Sequence, residues 1–189
     1  GELLLDGKKL RFSSSKEAMD YNFALVTEER KFNGMFGKAT IKFNTVISNL
    51  DAYKTCGVLS NRKMQEAADR EIKTMHTKCV SADELISALS GGNQQKVIIG
   101  KWLERQPDIL LLDEPTRGID VGAKYEIYTI MTELVKEGKS IIMVSSEMPE
   151  LIGMSQRIAV LCNGRLTGIL DKKDADQESI MRLATKFSD

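Results

Sequence analysis

Between Leu89 and Gly122 the chain reads LSGGNQQKVIIGKWLERQPDILLLDEPTRGIDVG, and three groups of residues in it could do chemistry. Ser90, Gly91 and Gly92 place a hydroxyl and two bare backbone positions at what reads as the start of a helix. Ser90 can cap that helix, and the unobstructed N–H groups at its positive end form a site for an anion, most naturally a phosphate. Asp113 and Glu114 close the apolar run Ile109-Leu110-Leu111-Leu112 and are followed by Pro115. One carboxylate there can hold a hard cation such as Mg2+, and the second can orient or deprotonate a water. Gly118-Ile119-Asp120 is a turn bearing one more carboxylate before the next helix. Each group alone has a plainer reading, since an SGG is usually a turn and an apolar run ending in Asp-Glu usually just a strand end. Their order and spacing carry the functional reading.

Those three strings together resemble the ATPase domain of ABC transporters: LSGG the signature, ILLLDEP the Walker B strand, GID the D-loop. The longer strings LSGGNQQK and DEPTRGIDVGAK are similar to one branch, the second half of fused two-domain ATPase subunits that drive bacterial sugar importers, nearest the galactose/methyl-galactoside type. The resemblance covers nearly the whole chain. It implies an α/β fold: an ABC-type P-loop ATPase core with a mainly parallel sheet, an antiparallel hairpin edge and a helical signature subdomain. Residues 1–30 would form the N-terminal strands and Q-loop, and 31–88 the helical subdomain. Signature, Walker B, D-loop and H-loop would fall in 89–170, and a C-terminal helix in 171–189.

ATP and Mg2+ are the ligands the resemblance implies. In such proteins each ATP lies between one domain's phosphate loop and Walker B strand and the other domain's signature. Ser90, Gly91 and Gly92, with Asn93 and Gln94 behind them, are therefore expected to face ATP held by a partner domain. Asn93 stands where many members have glutamine. Asp113 would hold Mg2+ at the domain's own site, Glu114 would be the general base, and Asp120 would lie at the interface and couple the two sites. The implied partners are the N-terminal ATPase domain of a full-length chain, transmembrane permease subunits and, indirectly, a periplasmic sugar-binding protein. The implied location is the cytoplasmic face of the bacterial inner membrane, peripherally attached.

Two positions depart from the family pattern. Glu28 stands where the Q-loop usually supplies glutamine, and Ser146 where the H-loop usually supplies histidine. A carboxylate near a γ-phosphate is repulsive unless a cation or proton offsets it, and serine cannot supply an imidazole donor. A phosphate-wrapping G-x-x-x-x-G-K-[ST] is also missing; Gly34-Met35-Phe36-Gly37-Lys38 comes nearest, but Phe32 replaces its first glycine and Ala39 its hydroxyl residue. The expectation is a chain that begins just downstream of that loop. Its useful part would be the signature donated to the partner's ATP, and its own site would be slow or structural. Alone, it would be a signature-donating, membrane-subunit-docking module that does not hydrolyse ATP.

The elements that must position these residues are legible in outline. Leu3-Leu4-Leu5, Asp6-Gly7 and Lys8 to Phe12 predict a hairpin. Ser14 and Glu17 fit a capping box, with a short helix from Ser15 to about Tyr21. Phe23 to Val26 reads as a strand, Ser140 to Ser145 as a buried strand, and Ile109 to Leu112 as a parallel strand buried on both faces. Ligands of open α/β sheets sit beyond the carboxyl ends of such strands, where Asp113 and Glu114 emerge. Met64, Ala68, Ile72 and Met75 make an inward stripe on a charged helix. Ala123 to Glu137 predicts an amphipathic helix ended by Gly138. Ile158 to Cys162, Asn163-Gly164 and Arg165 to Leu170 predict a second hairpin, and Gln177 to about Phe187 a last helix.

Composition narrows the function classes. The 189 residues are 42% hydrophobic, enough for a globular domain with a real core. Lys plus Arg and Asp plus Glu number 27 each, so the broad basic face that DNA or RNA would need is not expected. That balance also weighs against a soluble ABC protein of translation or DNA repair. No apolar run approaches the ~20 residues of a membrane span, and Gly1 to Leu10 has no signal-peptide pattern. Cys56, Cys79 and Cys162 lack metal-ligand spacing, and His76 is the only histidine, which removes His-based triads and zinc sites. On this reading, calorimetric titration of Mg-ATP into the chain should show no binding up to about 1 mM, equivalent to about −4 kcal/mol. Micromolar binding would point to a phosphate cradle other than the missing loop.

Overall fold

The computed structural model describes residues 1–187. They fall into two compact units, residues 1–144 and those from Ser145 onward.

The first unit opens with the hairpin β1 (Leu3–Leu5) and β2 (Lys8–Leu10), turned by Asp6 and Gly7 at φ of 50° and 76°. Both values are left-handed, which Asp-Gly tolerates at small cost. Helix α1 (Ser15–Asp20) begins as its capping box predicts. The Ser14 hydroxyl accepts from the Glu17 N–H, while the Glu17 carboxylate reaches back one residue further, to the N–H and hydroxyl of Ser13.

Strand β3 (Phe23–Val26) then enters a parallel sheet with β6 (Ile109–Asp113) in the centre and β7 (Ser140–Val144) beyond it. Phe23 registers with Ile109 and Ser140, and Val26 with Leu112 and Met143. That register brings the carboxyl ends of the three strands to one edge, the usual place for a site in an open α/β sheet.

The chain between β3 and β6 is mostly helical. A π-type turn (Arg30–Gly34) leads to α2 (Ile41–Val46), an irregular 3₁₀ stretch (Ile47–Tyr53) and α3 (Asn61–Thr74). A two-residue-stranded hairpin, β4 (Lys54–Thr55) and β5 (Val58–Leu59), interrupts this lobe. Its turn, Cys56-Gly57, is left-handed at both positions, and nothing in the local hydrophobic pattern signals it. The predicted stripe on α3 faces inward: Ala68 and Met75 are buried, Met64 packs on Val46, Tyr53 and Ala67, and Ile72 packs on Ile41, Ile86 and Val97. Helix α4 (Gly91–Leu103) packs on α2 and β3; α5 (Val121–Lys136), starting two residues before its predicted position, packs on α4 and β7.

One expectation is corrected. The sheet is buried on one face only. Ala24, Val26, Leu110 and Leu112 are buried, but Leu25 is 46% exposed and Ile142 and Val144 are each 58% exposed. Leu25, Leu111 and Ile142 register side by side on that open face. An unbroken apolar run specifies apolar side chains on both faces without specifying what covers them. Burial depends on the packing of α4 and α5, which reaches one side.

The second unit holds α6 (Met148–Met154), the hairpin β8 (Arg157–Cys162) and β9 (Arg165–Asp171), and α7 (Gln177–Ala184). Asn163-Gly164 makes the predicted turn at φ of 50° and 75°. Ile158, Val160 and Ile180 form the core under Leu151, Leu170 and Leu183. Helix α7 stops at Ala184, short of the predicted end, and leaves Phe187 43% exposed.

Buried charge fastens the helical lobe. Glu104, at the end of α4, accepts from Arg70 at 2.7 Å and from the Tyr53 hydroxyl. Glu71 lies beside it, and burial together with the charge of Glu104 pushes its carboxyl up to about 7, partly opposed by Arg70. The folded state therefore holds a proton that the unfolded chain releases. The contribution of Glu71 is fully present below about pH 4.5 and is lost as pH rises through about 7. Glu71→Gln should accordingly raise the thermal midpoint at about pH 8 and converge on the wild type towards pH 4.5. A melting series across that range checks it, and a gap that stays constant with pH would rule the assignment out.

Candidate functional site

The site is built where the loops after β3 and β6 leave the sheet edge and the first turn of α4 meets the first turn of α5. Glu114 follows β6 directly and has a left-handed backbone, φ 47°. Such a conformation costs a β-carbon-bearing residue on the order of 1 kcal/mol and is concentrated at functional positions. Its N–H is fixed to the Val144 carbonyl at 2.9 Å, and its carbonyl accepts from the Arg117 N–H at 3.1 Å. Asp113 is half-buried at the strand end, while Pro115 and Thr116 are buried beneath the turn. The bend thus holds the two acidic residues at the carboxyl edge with their backbone pinned from both sides.

Gly118, at φ 66°, swings the chain into Ile119 and Asp120. Asp120 is the N-cap of α5, its carboxylate accepting from the Ala123 N–H at 2.9 Å. The residue is exposed, so one carboxylate oxygen is used locally and the group still faces solvent.

At the start of α4 the structure departs from the expected cap. Ser90 occupies the N-cap position, but its hydroxyl makes no capping bond; it accepts instead from the Asn93 side-chain amide at 2.9 Å. The Asn93 carbonyl oxygen accepts in turn from the Lys78 N–H at 2.8 Å. Asn93 is therefore a brace between Ser90 and the loop after α3. Ser90 is exposed and held from behind, and its own side chain makes no capping hydrogen bond to the first turn of the helix. Gln94 points the other way. It is buried, and its amide donates to the carbonyls of Leu89 at 3.0 Å and Ile86 at 3.3 Å, shaping the turn that enters the helix.

The two glycines serve different contacts. A β-carbon on Gly92 would lie 2.3 Å from the Ala123 β-carbon and 3.4 Å from Ile119, so its bare backbone lets α4 and α5 touch at their first turns. A β-carbon on Gly91 would meet the Arg30 guanidinium at 2.7 Å. Deeper along the same pair of helices, the buried Lys96 reaches Glu126 of α5 at 2.5 Å and the His76 carbonyl at 2.9 Å, and this partner holds the Glu126 carboxyl below its usual range.

Glu28, after β3, forms an ion pair with Arg117. Sequence reasoning flagged Glu28 but missed Arg117 and Arg30. These residues lie far apart in the chain, and only the parallel register of β3 and β6 brings them together. Gly91, Gly92, Glu28, Glu114 and Asp120 are thus joined through the turn at residues 114–118. Ser146 lies in the second unit, where it is exposed just before α6.

A cation fits here only in a particular way. Among the described residues, no three His, Cys, Asp or Glu side chains gather as a metal cage. Asp113 can offer a hard oxygen ligand, and Mg2+ is commonly held by one or two carboxylates with phosphate oxygens and waters supplying the remainder.

Comparison with known proteins agrees with this geometry. The family model described as ABC transporter matches residues 1–117. The chain is 66% identical over 187 residues to the galactose/methyl galactoside import ATP-binding protein MglA of Treponema denticola, covering 99% of this chain and 38% of that protein. It is 55% identical over 188 residues to the MglA protein of Clostridium perfringens strain 13, covering 99% of this chain and 36% of that one. The chain therefore spans well under half the length of these relatives. The fold is similar to the ATP-binding cassette MJ1267 (TM-score 0.76, 17% identity, 94% of this chain and 74% of that one). It is also similar to the dimeric cassette MJ0796 bound to ADP and Pi (TM-score 0.73, 23% identity, 91% and 73%).

Gly92→Ala should destabilise the chain by about 1–3 kcal/mol in urea unfolding, because the contact with Ala123 leaves no room for a methyl group. Asp120→Ala should cost about 1 kcal/mol through loss of the α5 cap. A near-neutral Gly92→Ala would show that the two helix starts are not in contact.

Proposed function

The chain belongs to the ABC transporter family, and we propose that it acts as an ATP-handling domain in the subunit that energises bacterial import of a sugar, of the galactose/methyl galactoside kind. The observation that carries this reading is the joining of an open helix start, Ser90 to Gly92, to the turn bearing Asp113 and Glu114. An anion site and a carboxylate pair are thereby parts of one construction. The sugar comes from the names of the Treponema and Clostridium relatives.

In the proposed reaction a water oxygen attacks the γ-phosphorus of ATP and the bond to the β,γ-bridging oxygen breaks, releasing ADP. Glu114 orients that water and takes its proton. Asp113 is the residue that would hold Mg2+, which neutralises phosphate charge when bound. Ser90 and the backbone of Gly91 and Gly92 receive the phosphates of an ATP whose wrapping loop belongs to a partner domain. Asp120, exposed at the cap of α5, lies at that domain interface. Permease subunits are the proposed membrane contact, at the cytoplasmic face. No described helix is long and apolar enough to cross a membrane.

The domain's own site is proposed to be the weaker contributor. Glu28 is neutralised by Arg117, which eases its repulsion for phosphate but commits it to an ion pair rather than to a cation. Ser146 offers no imidazole. In the reassembled transporter, Ser90→Arg should reduce sugar uptake and ATP turnover by at least about a hundredfold, whereas Glu114→Gln should cost less than about tenfold. Equal losses would sink the asymmetry, and an assembled wild-type subunit without ATP turnover would sink the proposed function itself.

A further inference from the structure

Arg30 touches more of the site than any residue singled out from the sequence. Its Nη1 donates to the Arg117 carbonyl at 3.0 Å, and its Nη2 makes a longer contact of 3.4 Å with the Gly118 carbonyl. The same Nη2 lies 2.7 Å from where a β-carbon on Gly91 would be. Its Nε is buried and takes no partner, so the guanidinium is held in place by its fork alone. Its backbone N–H donates to the Glu28 carbonyl at 3.0 Å, and Glu28 pairs through its carboxylate with the Arg117 side chain.

These contacts close a ring. The loop after β3 grips the loop after β6 by a guanidinium in each direction, Arg30 on the backbone of Arg117 and Arg117 on the carboxylate of Glu28. The far end of the Arg30 turn is seated too: a β-carbon on Gly34 would lie 3.1 Å from Ile98 of α4. One side chain therefore spans three segments separated widely in sequence: the turn after β3, the start of α4 and the turn that fixes the Glu114 carbonyl.

We infer that Arg30 is a positioning residue that locks the start of α4 to the turn following Glu114, so that the phosphate-receiving end and the water-activating end are set by one guanidinium. This rests on the function proposed above. Arginine suits the role because its planar fork can meet two successive carbonyls at once, where a lysine ammonium meets one as a point charge. Its charge also adds to the positive end of α4.

The decisive experiment is hydrogen exchange on the chain carrying Arg30→Met, a substitution that keeps the apolar stem and removes every donor. Amides of residues 94–96, which bond the carbonyls of the first turn of α4, and that of Arg117, bonded to the Glu114 carbonyl, should exchange about tenfold faster or more, while those of β6 and the distal turns of α4 keep their protection. No change in those two segments would overturn the inference. So would an equal rise throughout β6 and α4, which would mark a contribution to general stability. If Arg30→Met does not fold, Arg30→Lys is read by the same criteria and should give an intermediate rise confined to the same segments.

In the assembled subunit, Arg30→Met should lower kcat for ATP by about tenfold or more while KM changes by less than about threefold, since misplacement acts on the reacting geometry. A loss confined to KM would overturn the inference. A wild-type subunit without turnover would remove the proposed reaction while leaving the exchange result to decide the lock.

Discussion

At Gly92, where the start of α4 meets the Ala123 methyl group at the start of α5, no side chain larger than hydrogen fits. The hypothetical β-carbon of Gly92 lies 2.3 Å from that of Ala123, and this approach fixes the distance between a helix N-terminus and the turn that carries Glu114 and Asp120. The remaining site contacts follow from it. With the helix starts in contact, Arg30 can lie across Gly91 and still reach the carbonyls of Arg117 and Gly118. Asn93, one residue along, can brace Ser90 against the loop at Lys78.

Charge does the fastening further inside. Lys96 is 1% exposed, yet it is satisfied by Glu126 and the His76 carbonyl. Lys101 donates to the Gly34 carbonyl at 2.6 Å, and burial pushes its ammonium down to about 8. Buried pairs of this sort add little net stability over apolar packing, but breaking one leaves an uncompensated charge. What they secure is registration. Lys96 ties α4 to α5, Lys101 ties α4 to the turn below Arg30, and Glu104 ties the end of α4 to α3 through Arg70. The helix whose N-terminus is the proposed anion site is thus anchored along its length.

The strand end supplies the complementary half. Glu114 keeps a left-handed backbone because the Val144 carbonyl holds its N–H and the turn to Arg117 holds its carbonyl. Strain at that position is stabilised by the sheet and not by the residue itself. The ion pair between Glu28 and Arg117 adds electrostatic balance, because a lone carboxylate at the same edge would oppose any incoming phosphate.

The sequence by itself determined the hairpin turns, the capping-box helix, the strand leading to Asp113 and the two glycines after Ser90. Each of these is a local matter: Asp-Gly and Asn-Gly fit left-handed turns, Ser14 and Glu17 act over one helical turn, and an apolar run reads as a strand whatever surrounds it. The hairpin at Lys54 to Leu59 escaped because its strands are two residues long, too short for alternation to show. Only the tertiary structure decided what the site residues touch. Ser90 looked like a capping hydroxyl and proved to be bound to Asn93; Gln94 looked accessible and lies buried against backbone carbonyls. The sheet looked covered on both faces and is covered on one. Arg30 belongs to no motif and Arg117 sits within DEPTRGIDVGAK with no role of its own marked there, because their contacts come from a register between strands whose spacing along the chain contains no trace of it.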